Sequence, residues 1–161
     1  MEYNPVRASV THAFFYSGAA VCACLSLAGL LHTSPAPAED QITILTPEAI
    51  PYQADATAPD ILVAVVSGDP RAGFYTLRVK FPPGIKTPPH YHPDTRTVTV
   101  IAGRYYFGEG KVFAAAGMRG YDPGTVIVVP AGKPHFSWAR DGEVIIQEAG
   151  VGPTGVTRTG P

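Results

Sequence analysis

Thiols are nearly missing from this chain of 161 residues: its 2 cysteines, Cys22 and Cys24, both fall in an apolar N-terminal stretch. The remainder therefore has neither a disulfide framework nor a thiolate metal site. Charge is sparse too. With 16% charged residues and a net charge of -1, there is no basic excess of the kind a phosphate backbone selects, so nucleic acid is not an expected partner. A long amphipathic helical period is also absent. Short aliphatic runs broken by 17 glycines and 17 prolines point instead to an all-β domain of short strands and turns. The length suits one such domain.

The N-terminus reads as an address. Residues 1–12 are polar with one basic side chain, Arg7, and residues 13–31 are almost wholly apolar or small. Ala36-Pro37-Ala38 suits cleavage before Glu39, so residues 1–38 are expected to be a removed export signal and the mature protein to be periplasmic or extracellular, off the membrane. The alternative is a membrane anchor, because the apolar run approaches spanning length. Paired arginines are missing before that run, and Val21-Cys22-Ala23-Cys24 makes a poor lipidation box.

Residues 39–60 form a lead-in with one strand candidate at 42–45, which either wraps the domain or exchanges with another copy. A barrel is predicted over 61–150. Its apolar run 61–66 stops at the turn Ser67-Gly68-Asp69-Pro70. Residues 74–81 alternate, with Tyr75, Leu77, Val79 and Phe81 on one face, as a half-buried strand does. Residues 96–102 resume the alternation and 104–107 are aromatic-rich. Residues 111–120 read as a loop or one helical turn, and 125–129 as a buried strand. Asp141-Gly142 predicts a hairpin joining 136–140 to 143–148. The Gly-, Pro- and Thr-rich residues 151–161 predict a loose tail.

Histidine carries the chemistry. His90 and His92 stand one residue apart and would share a strand face, at the end of Gly84-Ile85-Lys86-Thr87-Pro88-Pro89-His90-Tyr91-His92. Prolines 88, 89 and 93 make that strand irregular and stiff. Gly124-Thr125-Val126-Ile127-Val128-Val129-Pro130-Ala131-Gly132-Lys133-Pro134-His135 delivers a third. The other two histidines, His12 and His32, lie in the segment expected to be removed.

The first of these stretches, closed by Gly103, resembles the first cupin motif (Gly, five residues, His-x-His, three or four residues, Glu, six residues, Gly). The second resembles the second cupin motif (Gly, five residues, Pro-x-Gly, two residues, His, three residues, Asn). The resemblance implies a cupin double-stranded β-barrel of jelly-roll type with one metal inside, held by His90, His92 and His135. Two residues depart from it: Arg96 stands at the ligand Glu and Ala139 at the Asn. The implied ion is divalent and first-row, iron ahead of zinc or manganese. Three-histidine cupin sites resemble those of cysteine dioxygenase and the diketone-cleaving dioxygenases. The same ion would also serve as a Lewis acid, and a non-catalytic small-molecule binder is the competing class. The resemblance also allows a homodimer.

Arg96 cannot donate a lone pair. About 6 Å from a divalent ion, at an effective dielectric of about 20, its repulsion would be roughly 5 kcal/mol. Either it turns away or an anion intervenes: Asp94 internally, or an anionic substrate. The second is the expectation, with Arg96 as a substrate residue. Gln147 either joins it in the cavity or faces solvent, and Tyr105 and Trp138 are core residues and candidate pocket walls.

Overall fold

The computed structural model describes residues 42–160; the expected export signal lies outside them. In chain order the strands are β1 (Gln53–Ala54), β2 (Leu62–Gly68), β3 (Phe74–Phe81), β4 (His90–Tyr91), β5 (Arg96–Ala102), β6 (Tyr105–Glu109), β7 (Arg119–Tyr121), β8 (Val126–Val129), β9 (His135–Trp138), β10 (Val144–Val151) and β11 (Thr157–Arg158). They form two antiparallel sheets, one ordered β1-β2-β3-β10-β5-β8 and the other β11-β4-β9-β6-β7. This is the all-β jelly roll the motifs implied.

The core fills the space between the sheets. β3 buries alternate residues, and Tyr75, Leu77, Val79 and Phe81 are the buried set, as a period of two requires. Val98, Val100, Val144 and Ile146 join Val79, Phe81, Tyr105 and Phe107 in one cluster. Gly103 turns β5 into β6 at φ +75°, and a Cβ there would lie 2.1 Å from the Glu143 carbonyl oxygen. Only glycine satisfies both the left-handed backbone and that approach, which explains the glycine closing the first motif.

Four local expectations are corrected. Residues 42–45 form no strand, and Ile42 is 94% exposed. β8 is an edge strand, not a buried one: Val126 and Val128 are exposed and Val129 alone is buried. The hairpin across Asp141-Gly142 does not form. β9 pairs with β4 and β6 in one sheet, and β10 pairs with β3 and β5 in the other, so the turn carries the chain between sheets. Local turn chemistry gave way to the central slot between β3 and β5, where an apolar strand gains two neighbours. Finally, the C-terminal segment is not loose. β11 pairs with β4, and the Thr159 backbone N–H and hydroxyl both donate to the Pro89 carbonyl. The 111–120 stretch holds a single 3-10 turn, Ala115–Gly117, before β7.

Candidate metal centre

The two motifs are sewn together by main chain. Gly132 N–H donates to the His92 carbonyl at 2.8 Å and Gly84 N–H to the Ala139 carbonyl at 2.7 Å. Ala139, where the family pattern has Asn, is buried and donates its own N–H to Ile85. The backbone thus holds this junction without an amide side chain.

His90 and His135 face each other across β4 and β9 in register, and His92 follows just beyond β4. Their ring centroids lie 4.4 to 5.2 Å apart, and one ring nitrogen from each falls within 4.8 Å of the others. Which nitrogens are free follows from the partners. Nδ1 of His90 lies 2.8 Å from the Pro88 carbonyl, Nδ1 of His92 2.7 Å from that of Gly155, and Nδ1 of His135 3.0 Å from that of Lys133. A carbonyl can only accept, so each Nδ1 carries the proton and each neutral ring keeps its lone pair on Nε2. Phe107 stacks on His135, centroids 5.2 Å apart, fixing that ring's plane. Three neutral, oriented imidazoles fit a divalent first-row ion.

Burial pushes all three histidines below the ordinary imidazole value. His92 falls to about 4, chiefly by desolvation and then by the charge of Arg96; His135 falls to about 4 and His90 shifts the same way. The unfolded chain therefore binds more protons than the folded one between pH 6.5 and about 4. Above that window these histidines leave stability unchanged; through it, as pH falls, the metal-free domain is expected to lose stability. Urea unfolding at pH 7, 5.5 and 4 measures this. A midpoint that does not move between pH 7 and 5.5 would count against the depressed values. Proton competition with metal should likewise set in below the ordinary imidazole value of about 6.5.

The histidines open into a cavity of about 620 Å³. Most of its surface is apolar, with Ile61, Val63, Leu77, Val79 and Val98 among the walls; Tyr105 lines it too, as do the charged Arg71, Lys86 and Arg158. Tyr105 is fully buried, and that burial holds its hydroxyl well above the usual phenol range. Gln147 and Trp138 do not line the cavity. Gln147 alternates with the inward Ile146, and its Oε1 accepts from Arg78 Nε at 3.0 Å. Trp138 lies beside Lys86 and Arg140, their cationic groups 4.4 and 5.9 Å from its ring centre.

Arg96 stays inside the barrel, 3% exposed, and lines the cavity; both terminal nitrogens are engaged, while Nε is buried with no partner among the described residues. Nη2 donates to Asp94 Oδ1 and Nη1 to Glu148 Oε2, both at 2.7 Å, and Thr154 Oγ1 also contacts Nη2. Tyr75 donates its hydroxyl to Asp94 Oδ2 at 2.5 Å. Burial raises the Asp94 carboxyl, but hydrogen bonds from Thr154, Tyr75 and Arg96 outweigh it and hold the pKa below the usual range. Burial and the bond to Asp94 push Tyr75 up to about 12. Gly150, paired with Arg96 across β5 and β10, makes this packing fit: a Cβ there would lie 2.7 Å from the Tyr75 hydroxyl and 2.9 Å from Asp94 Oδ2. Where an anionic substrate was expected, the terminal nitrogens of Arg96 are met by carboxylates of the chain itself. Its anions are internal, Asp94 as the sequence allowed and Glu148, which the motif reading did not single out.

An antiparallel jelly roll with three convergent histidines at an internal, largely apolar cavity defines a barrel with a ligand set able to hold a metal ion. The chain belongs to the cupin family, whose model matches residues 67–157. Similar solved structures include the polyketide cyclase RemF from Streptomyces resistomycificus, at 15% identity and TM-score 0.63, covering 75% of this chain and 87% of that one. KdgF from Halomonas sp. is similar at 20% identity and TM-score 0.54, covering 69% and 94%. The DMSP lyase DddQ from Ruegeria pomeroyi DSS-3 is similar at 21% identity and TM-score 0.53, covering 71% and 58%. These likenesses are of fold. No curated protein matches the sequence.

Proposed function

We propose that the chain is an exported, metal-dependent enzyme that acts on a small organic molecule in the barrel cavity, with His90, His92 and His135 as the ligands of one divalent ion. The observation that carries this is the set of three Nδ1–H bonds to main-chain carbonyls, which leaves the three Nε2 lone pairs free on histidines that each bring a ring nitrogen within 4.8 Å of the others. Neutral ligands leave the ion its full charge, so the chemistry it would supply is Lewis acidity toward a substrate oxygen. The same ligand set fits an oxygenase as the second reading, and iron, zinc and manganese are all compatible with it. The apolar part of the cavity wall would hold the apolar part of the substrate. Relatives of this fold that act on small molecules, such as a polyketide cyclase and a DMSP lyase, agree with that class of ligand.

Elemental analysis of protein purified from the host's envelope is expected to find one divalent first-row ion per chain. Metal-free protein that takes up none on titration would defeat the reading. Export has its own test. N-terminal sequencing of the envelope form is expected to begin at or near Glu39; a start at Met1 with retention in carbonate-washed membranes would identify an anchor instead.

A further inference from the structure

One cavity group has no part in the function above. Glu148 lies two residues beyond the fully buried Ile146 on β10, so strand alternation turns it inward, and it lines the cavity with the three histidines. Its Oε2 is held by Arg96, which Asp94 fixes from the other side. The hydrogen bond from Arg96 goes to Oε2 alone, which leaves Oε1 turned to the cavity on a side chain that keeps 14% exposure. The other carboxylate lining the cavity, Asp55, is tied to its own turn, its Oδ1 accepting from the Thr57 backbone, the Thr57 hydroxyl and the Ala58 backbone, and among the described residues it has no cation to orient its second oxygen as Arg96 orients Glu148. Glu148 is therefore an oriented acceptor with one oxygen to spare, in a cavity whose surface is mainly apolar. A carboxylate oxygen accepts only, and a bond to it is strengthened by low-dielectric surroundings.

We propose that Glu148 Oε1 is the specificity-determining contact of the cavity, recognising a hydrogen-bond donor, so that the ligand is a small, largely apolar molecule bearing a hydroxyl or protonated amine. An ionised acid placed against Oε1 would offer it a like charge and no hydrogen to accept. The proposal rests on the cavity being the small-molecule site argued above.

The test uses matched pairs: benzyl alcohol, 2-phenylethanol and cyclohexylmethanol, each against its methyl ether. Binding is measured by calorimetry to zinc-loaded and metal-free protein. The wild type is expected to prefer each alcohol that binds by about tenfold in both metal states, the scale of one hydrogen bond to a charged group. In Glu148→Gln, the donor-only Arg96 claims the amide oxygen and the amide N–H₂ faces the cavity, so the preference should vanish or reverse. An unchanged preference in that variant would overturn the proposal, as would a preference seen only with zinc. The wild-type ranking also stands alone: ethers bound as tightly as alcohols overturn the proposal even if the variant does not fold. Stoichiometric zinc without the preference defeats this inference and spares the metal site. The preference without zinc uptake does the opposite.

Discussion

His135→Ala is expected to lower metal affinity by on the order of a hundredfold and to empty the site on dialysis. Structural zinc sites with four ligands bind with about 10–16 kcal/mol, roughly 3 kcal/mol per ligand, or about two decades in affinity. This site has three ligands to begin with, so a two-histidine remnant lacks the number a stable site needs. The described residues contain no cysteine to replace it, and Glu148 on the cavity wall is drawn to Arg96 through Oε2 at 2.7 Å. The fold should survive, because removing one neutral imidazole leaves β9 paired on both sides. Calorimetric titration and elemental analysis after dialysis read the result. Stoichiometric metal retained by His135→Ala would mean that the three histidines do not share an ion.

Those three histidines were legible because fixed spacing within two motifs encodes them, and a strand's period converts spacing into direction. Alternation was also enough, unused, to place Gln147 outward opposite Ile146, and Trp138 away from the face shared by His135 and Ser137. The partner of Arg96 was not legible. Glu148 meets it only because β10 slots between β3 and β5 in a register that sets Gly150 opposite Arg96, and no local pattern prints that register. Composition misled at the C-terminus. Gly, Pro and Thr suggested a loose tail, yet Gly155 supplies the carbonyl that fixes His92 and Thr154 touches Arg96. A segment poor in apolar side chains can still be held by main-chain bonds.

Arg96→Glu looks, by the family pattern alone, like the restoration of a missing ligand that should tighten metal binding. The structure predicts the reverse. Arg96 is the cation between two carboxylates, Asp94 at Nη2 and Glu148 at Nη1, with 3% of its side chain exposed and theirs 5% and 14%. Removing one partner of a buried pair costs about 3–5 kcal/mol, because the other charge stays behind without compensation. Here the substitution leaves two such charges and adds a third. Typical domain stabilities of about 5–15 kcal/mol leave little after that loss. Arg96→Glu is therefore expected to be unfolded or strongly destabilised at neutral pH and to recover partly toward acid, where the carboxylates protonate. Arg96→Met should show a smaller loss of the same sign. Thermal unfolding of the metal-free variants across pH 4 to 8 distinguishes the accounts. A folded Arg96→Glu protein that binds metal more tightly than the wild type would show that the carboxylate pair does not need its arginine, and would return position 96 to the role of a lost ligand.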